Sequence, residues 1–323
     1  MARKKPKRRV EVLSTYDLMR LFPDEESAAT YLTRILWPDG PVCPFCGSYR
    51  HTGYKTVKKR GMFFCGDCRK DYSLRTNTIF HRSHIPLNKW LYAMYLIVTA
   101  RKGISSLQLS KEIGVTQKSA WYMGHRIRAA CGNQARRPLS GTVQADETYL
   151  GGKEGNKHAN RKMYAGRGAV GKVPVFGAVD SAGRVVLRQV PKTDGETLRE
   201  TLLECLKANA VLVTDESRAY DVMDEHFEHL TVNHSAKRYV DGKATTNSIE
   251  SVFATLKRGF YGTFHSFTTR YTQLYLDEFA FRLNQGNVRR DTVDRLRSLI
   301  LGGQNKRVTY AEISQRRAPG LEK

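Results

Sequence analysis

Thr142-Val-Gln-Ala-Asp146-Glu-Thr-Tyr-Leu150 is a short run rich in β-branched residues, with Val143 and Ala145 in apolar alternation and acids near its end. That pattern predicts a strand, and the runs after it continue the rhythm. Val173–Asp180 and Arg184–Val190 read as two further strands joined by an Asp-Ser-Ala-Gly turn. Leu198, Leu202 and Leu206 recur at i, i+4 and i+8, so 196–208 reads as a helix. Val211-Leu-Val-Thr214 is a buried-type strand that runs straight into Asp215. Residues 217–227 read as a helix, Leu230–Asn233 as a strand, and 247–258 with 268–284 as a closing helical pair.

Three strands, helix, strand, helix, strand, helix is the order of a ribonuclease-H-like α/β domain, a mixed sheet with helices on it. In such a sheet the first and fourth strands are neighbours, which brings Asp146 to Asp215, and the helix across the sheet supplies Glu250. Three hard oxygen donors at one point suit Mg²⁺ or Mn²⁺. Glu147 and Glu216 stand beside the two aspartates as local alternatives, although alternation sends Asp146 and Glu147 to opposite faces. On the late helix, Asn247, Glu250, Ala254 and Lys257 share one stripe, beside an apolar side of Ile249, Val252, Phe253, Leu256 and Phe260. Lys257 is placed to hold a DNA phosphate, and Arg258 extends that positive end.

Upstream, Cys43-Pro-Phe-Cys46 and Cys65-Gly-Asp-Cys68 have the spacing of a four-thiolate Zn²⁺ site, with a hairpin expected over Tyr54–Phe64. Four thiolates leave no open coordination position, so the role is structural. Helical patterns cover 23–36, 87–100, 105–113 and 117–130; the last two, joined by Gly114-Val-Thr116, read as a helix-turn-helix with Lys118, Arg126 and Arg128 toward DNA. The loop at 151–172 is basic, and Lys153, Lys162 and Arg167 are candidate phosphate contacts. Its Gly166-x4-Gly171-Lys172 imitates a nucleotide-binding loop, but Val173 and a strand follow where Ser or Thr and a helix are needed, so ATP is not expected. The domains expected are a basic arm (1–21), an N-terminal helix with zinc ribbon (22–82), a helix-turn-helix-like segment (83–138), the ribonuclease-H-like domain (139–288) and a basic tail (289–323).

The chain has 323 residues and a formal net charge of +23, from 54 Lys and Arg against 31 Asp and Glu. Nucleic acid is the commonest partner for such a charge. The most apolar run, Trp90–Ala100, is far shorter than the roughly 20 residues of a membrane span, so a cytoplasmic, nucleoid-associated protein is expected.

Several motifs together resemble the ISXO-type insertion-sequence transposases: Cys43-Pro-Phe-Cys46-Gly, Asp146-Glu-Thr-Tyr-Leu-Gly-Gly-Lys153, Thr214-Asp-Glu-Ser, His234-Ser, Thr246-Asn-Ser-Ile-Glu250, Gly262-Thr-Phe-His265 and Asp277-Glu-Phe-Ala-Phe-Arg-Leu-Asn284. The resemblance spans 22–284. It implies a DDE-type transposase: Mg²⁺-dependent cleavage of double-stranded DNA at the element's inverted-repeat ends, then strand transfer into target DNA by a homo-oligomer. Family members carry Glu or Asn at the third metal position, and both Glu250 and Asn247 stand here. The alternatives are a non-catalytic DNA-binding regulator derived from a transposase and another ribonuclease-H-like nuclease.

Overall fold

The computed structural model describes residues 9–54, 61–132, 138–152, 158, 160, 171–232, 246–266 and 268–315. These fall into two compact units, one built from 1–101, 106–131 and 285–313, the other from 102–105, 132–284 and 314–323.

The first unit opens with helix α1 (Thr15–Leu21), capped by Ser14, and α2 (Glu25–Leu36), capped by Asp24. A three-stranded antiparallel ribbon follows: β1 (His51–Gly53), β2 (Met62–Cys65) and β3 (Asp71–Ser73). The turn of the expected hairpin lies outside the described residues, and the flanking strands pair Thr52 with Phe64. Helices α3 (Leu87–Thr99), α4 (Ser106–Ile113) and α5 (Gln117–Cys131) occupy the spans the periodicity predicts. Residues 289–323 differ from the expected tail. They contain α9 (Thr292–Gly302) and α10 (Tyr310–Gln315). Leu296, Leu299 and Ile300 are buried on one face of α9, and Arg295 joins them because its guanidinium donates to Val98 O at 2.9 Å. The basic composition hid an amphipathic helix.

The second unit is a five-stranded sheet of β4 (Thr142–Leu150), β5 (Val173–Asp180), β6 (Val185–Gln189), β7 (Val211–Asp215) and β8 (Glu228–Val232), in the order β6-β5-β4-β7-β8. The β4–β5 and β5–β6 pairs are antiparallel, and β4–β7 and β7–β8 are parallel. The expected neighbours, first strand and fourth, are therefore side by side, and the mixed sheet is ribonuclease-H-like. Odd-numbered residues of β4, Val143 and Ala145, pack with α6 (Gly195–Cys205) and with a 3₁₀ turn (Arg218–Met223) where a regular helix was expected. Leu150 on the other face packs with α7 (Asn247–Gly259) and α8 (Thr272–Leu283). The free edge of β6 is closed by side-chain amides near and on α8. Asn284 accepts from Val185 N and donates to Val185 O, and Gln273 does the same for Gln189 N and Leu187 O. Exposed strand edges invite unwanted pairing, and these amides occupy the donors and acceptors that would permit it.

Candidate active site

Strand alternation and register bring the acids to one face. Gln144 pairs with Val213 across the parallel β4–β7 ladder, and the same offset carried two residues on sets Asp146 level with Asp215. Opposite Asp146 on β5 is Gly177, and a Cβ there would lie 2.6 Å from Phe253 and 2.9 Å from Ile249 of α7. The missing side chain is what lets α7 close on the sheet beside Asp146. All five residues of the predicted apolar side, Phe260 included, are buried, while Asn247, Glu250 and Lys257 remain exposed. At the far end, Tyr261 on the π-helical turn Phe260–Phe264 donates to Gly151 O at 3.1 Å, so α7 runs alongside β4.

Asp146 and Glu147 fall on opposite faces of β4. Glu147 points into the other layer and accepts a hydrogen bond from the buried Tyr220 hydroxyl. Burial pushes the Glu147 carboxyl up to about 7, against the Tyr220 hydrogen bond, which pulls it down. Burial also lifts Asp146 to about 6, helped by the negative charge of Asp215 and Glu250 and opposed by the Glu147 N–H and Lys257. Asp146 Oδ1 accepts that N–H at 2.7 Å, and Asp215 Oδ1 accepts Ser217 N–H at 3.1 Å. Glu250 accepts from the Thr246 hydroxyl at 3.4 Å. The three acids are near enough for Asp146 to feel both others. Among the described residues, however, the cysteines are the group whose ligand atoms all gather within 4.8 Å.

At the ribbon, Cys43 Sγ lies 3.6 Å from Cys68 Sγ, and Cys46 Sγ 3.6 Å from Cys65 Sγ. A tetrahedron with Zn–S bonds of about 2.3 Å has S···S edges of about 3.8 Å, so the four thiols fit zinc. The two knuckles repeat each other: Gly47 N–H donates to Cys43 O at 2.9 Å and Arg69 N–H to Cys65 O at 3.0 Å. Gly47 has φ +75° and Arg69 +56°; a glycine takes the left-handed position in the first turn and an arginine takes it in the second.

Residues 138–284 match the family model described as an ISXO2-like transposase domain, and residues 23–71 match a transposase zinc-ribbon domain. An uncharacterized protein in transposable element ISH50 of Halobacterium salinarum is 31% identical over 246 residues, 72% of this chain and 82% of that protein. The chain belongs to the ISXO2-like transposase family. An uncharacterized transposase-like protein of Haemophilus influenzae is 28% identical over 114 residues, 35% of this chain and 90% of that one. Among solved structures, the Mos1 strand transfer complex covers 68% of this chain and 79% of its own at 12% identity and a TM-score of 0.29. As a member of this family the chain carries a DDE-type transposase domain of an insertion-sequence element, a zinc ribbon, and acids that the family pairs with a divalent metal.

For this transposase, two of the expected DNA contacts need correction. Arg126 and Arg128 are 3% and 4% exposed. Arg126 donates to His81 O at 2.7 Å and lies over the rings of Trp90 and Tyr122, so its cation serves the interior of the first unit. Spacing along α5 could not reveal this, because apart from Tyr122 the named partners, His81 and Trp90, come from distant sequence. Lys118 is exposed at the start of α5, above the Tyr310 ring of α10. Arg258 is exposed on α7, where it donates to Thr255 Oγ1 at 3.1 Å. Lys153, Lys162, Arg167 and His234 lie outside the described residues. Among the described residues, no helix is long and apolar enough to cross a membrane.

Proposed function

We propose that the protein is an active transposase that cleaves double-stranded DNA at the inverted-repeat ends of its element and joins the freed 3′-hydroxyl to target DNA. What supports this is the placement of Asp146 and Asp215 at the same level of the neighbouring strands β4 and β7, with Glu250 on the helix that packs on that face and the charges of Asp215 and Glu250 felt at Asp146. These carboxylates fit Mg²⁺ or Mn²⁺, since hard oxygen donors carrying negative charge are what a small divalent cation requires. When bound there, the metal activates the attacking oxygen and neutralises charge on the leaving one. Asp146 and Asp215 hold it from fixed strand positions, and Glu250, with Asn247 one turn before it, completes the set from the helix. Lys257, exposed on the same stripe, orients the scissile phosphate, and Arg258 draws in the neighbouring backbone.

The zinc ribbon and the exposed start of α5 with Lys118 bind the element ends, and Lys153, Lys162 and Arg167 contact phosphates. Two ends must meet in one reaction, so the working form is a homo-oligomer on DNA in the cytoplasm. The reaction needs no ATP.

Asp146→Asn and Asp215→Asn proteins should bind end DNA as the unaltered protein does and lose Mg²⁺-dependent cleavage and joining. Cleavage retained by both variants would sink the assignment. Cleavage without joining, on a substrate carrying the flanking repeats, would point to a hydrolytic nuclease instead.

A further inference from the structure

We propose that Gln144 is a positioning residue: from the strand that carries Asp146 it caps the helix that carries Glu250, and so sets the separation at which the acids bind a divalent cation. The inference rests on the metal-site reading above. A helix begins with N–H groups that have no carbonyl in a preceding turn, and the ordinary remedy is an N-cap side chain accepting from the second and third residues. The residue before α7 is Thr246, and its hydroxyl makes no such cap; it donates to Glu250 Oε1 at 3.4 Å. The second and third residues, Ser248 and Ile249, both donate instead to Gln144 Oε1, at 3.0 and 3.3 Å. Both partners are donors, so the amide must present its oxygen to them.

The cap therefore comes from β4, and from the face of β4 that carries Asp146, because residues two apart on a strand share a face. A shift of one residue would offer Ala145, which has no acceptor. Ile249 is tied twice, by its N–H to Gln144 and by its side chain over Gly177, the residue opposite Asp146. One hydrogen-bonded tether and one close-packed seat thus hold the first turn of α7, and Glu250 follows Ile249 directly. A glutamine suits this place: it satisfies the positive end of the helix without adding a further carboxylate to the cluster.

The test uses the full-length protein, with Gln144→Met, which keeps the length and removes the acceptor, Gln144→Glu, which keeps the acceptor, and Asp146→Asn. Mn²⁺ binding without DNA is followed by the loss of free-ion paramagnetic signal, and amide exchange is followed over residues 246–250. Gln144→Met should need about tenfold more Mn²⁺ for half-saturation and exchange these amides about tenfold faster, with the β4–β5 amides still protected. Gln144→Glu should restore the slow exchange, because its carboxylate accepts from the same two N–H groups. Gln144→Met matching the unaltered protein in Mn²⁺ binding, while Asp146→Asn loses it, would overturn this proposal alone. Undiminished Mn²⁺ binding by Asp146→Asn would overturn the metal-site reading, and this inference with it.

Discussion

Asp146 and Glu147 are adjacent in sequence and divided by the sheet. Period-2 alternation made their opposite orientation legible in the sequence, but not which face would meet α7. That depended on Gly177, brought opposite Asp146 by the β4–β5 register, and no local signal marks it as a place where a helix approaches. Gly177→Ala should lift Phe253 and Ile249 from the sheet, lowering stability by about 1–3 kcal/mol in denaturant titration. Because the same contact seats Glu250, cleavage should fall further than end-DNA binding does. A variant as stable and as active as the unaltered protein would mean that α7 does not rest on this glycine. Asp215 was the most legible of the acids, since an apolar strand ending in an acid needs no distant information.

The elements divide by how local their instructions are. The ribbon's ligands were legible from spacing alone, because each knuckle is built within a few residues. Its three strands are short for an unaided sheet, and a Zn²⁺ held by the four cysteines would supply the missing stability. The protein should carry one zinc ion per chain by atomic absorption. Stripping it with a strong chelator should expose four thiols to a thiol reagent while the amides of β4–β7 stay protected; thiols that remain shielded without metal would contradict the structural role. α9 was illegible for the opposite reason, since its partners are far away in sequence. A Cβ on Gly302 would lie 2.3 Å from Ala130 O, a backbone atom that cannot swing aside. Gly302→Ala should therefore destabilise the first unit by about 1–3 kcal/mol, read as a lower first transition in thermal melting, with the sheet unit's transition unmoved. The buried Arg126 and Arg128 teach the same lesson: cations on a predicted recognition helix look alike whether they face DNA or a tryptophan.

For the whole molecule, charge is the property most directly legible in the sequence. A net +23 spread over the chain predicts end binding dominated by phosphate contacts. If six to ten phosphates are engaged, affinity should fall on the order of 10³–10⁵-fold between about 50 and 200 mM salt, measured by fluorescence anisotropy. A nearly flat response would remove the backbone-contact account. The return of residues 285–313 to the first unit was not legible, because the segments that α9 packs against lie far away in sequence. After α5 the chain leaves the first unit, builds the sheet unit through Asn284, and then returns to supply α9. Vectorial synthesis gives that path a consequence. While the ribosome translates residues 132–284, the helices already made wait without the segment that seals them, and all five strands of the sheet are made in the meantime. A nascent chain whose residues through Asn284 have cleared the ribosome would thus hold the acid-bearing sheet with α7 and α8 while the first unit still lacks α9.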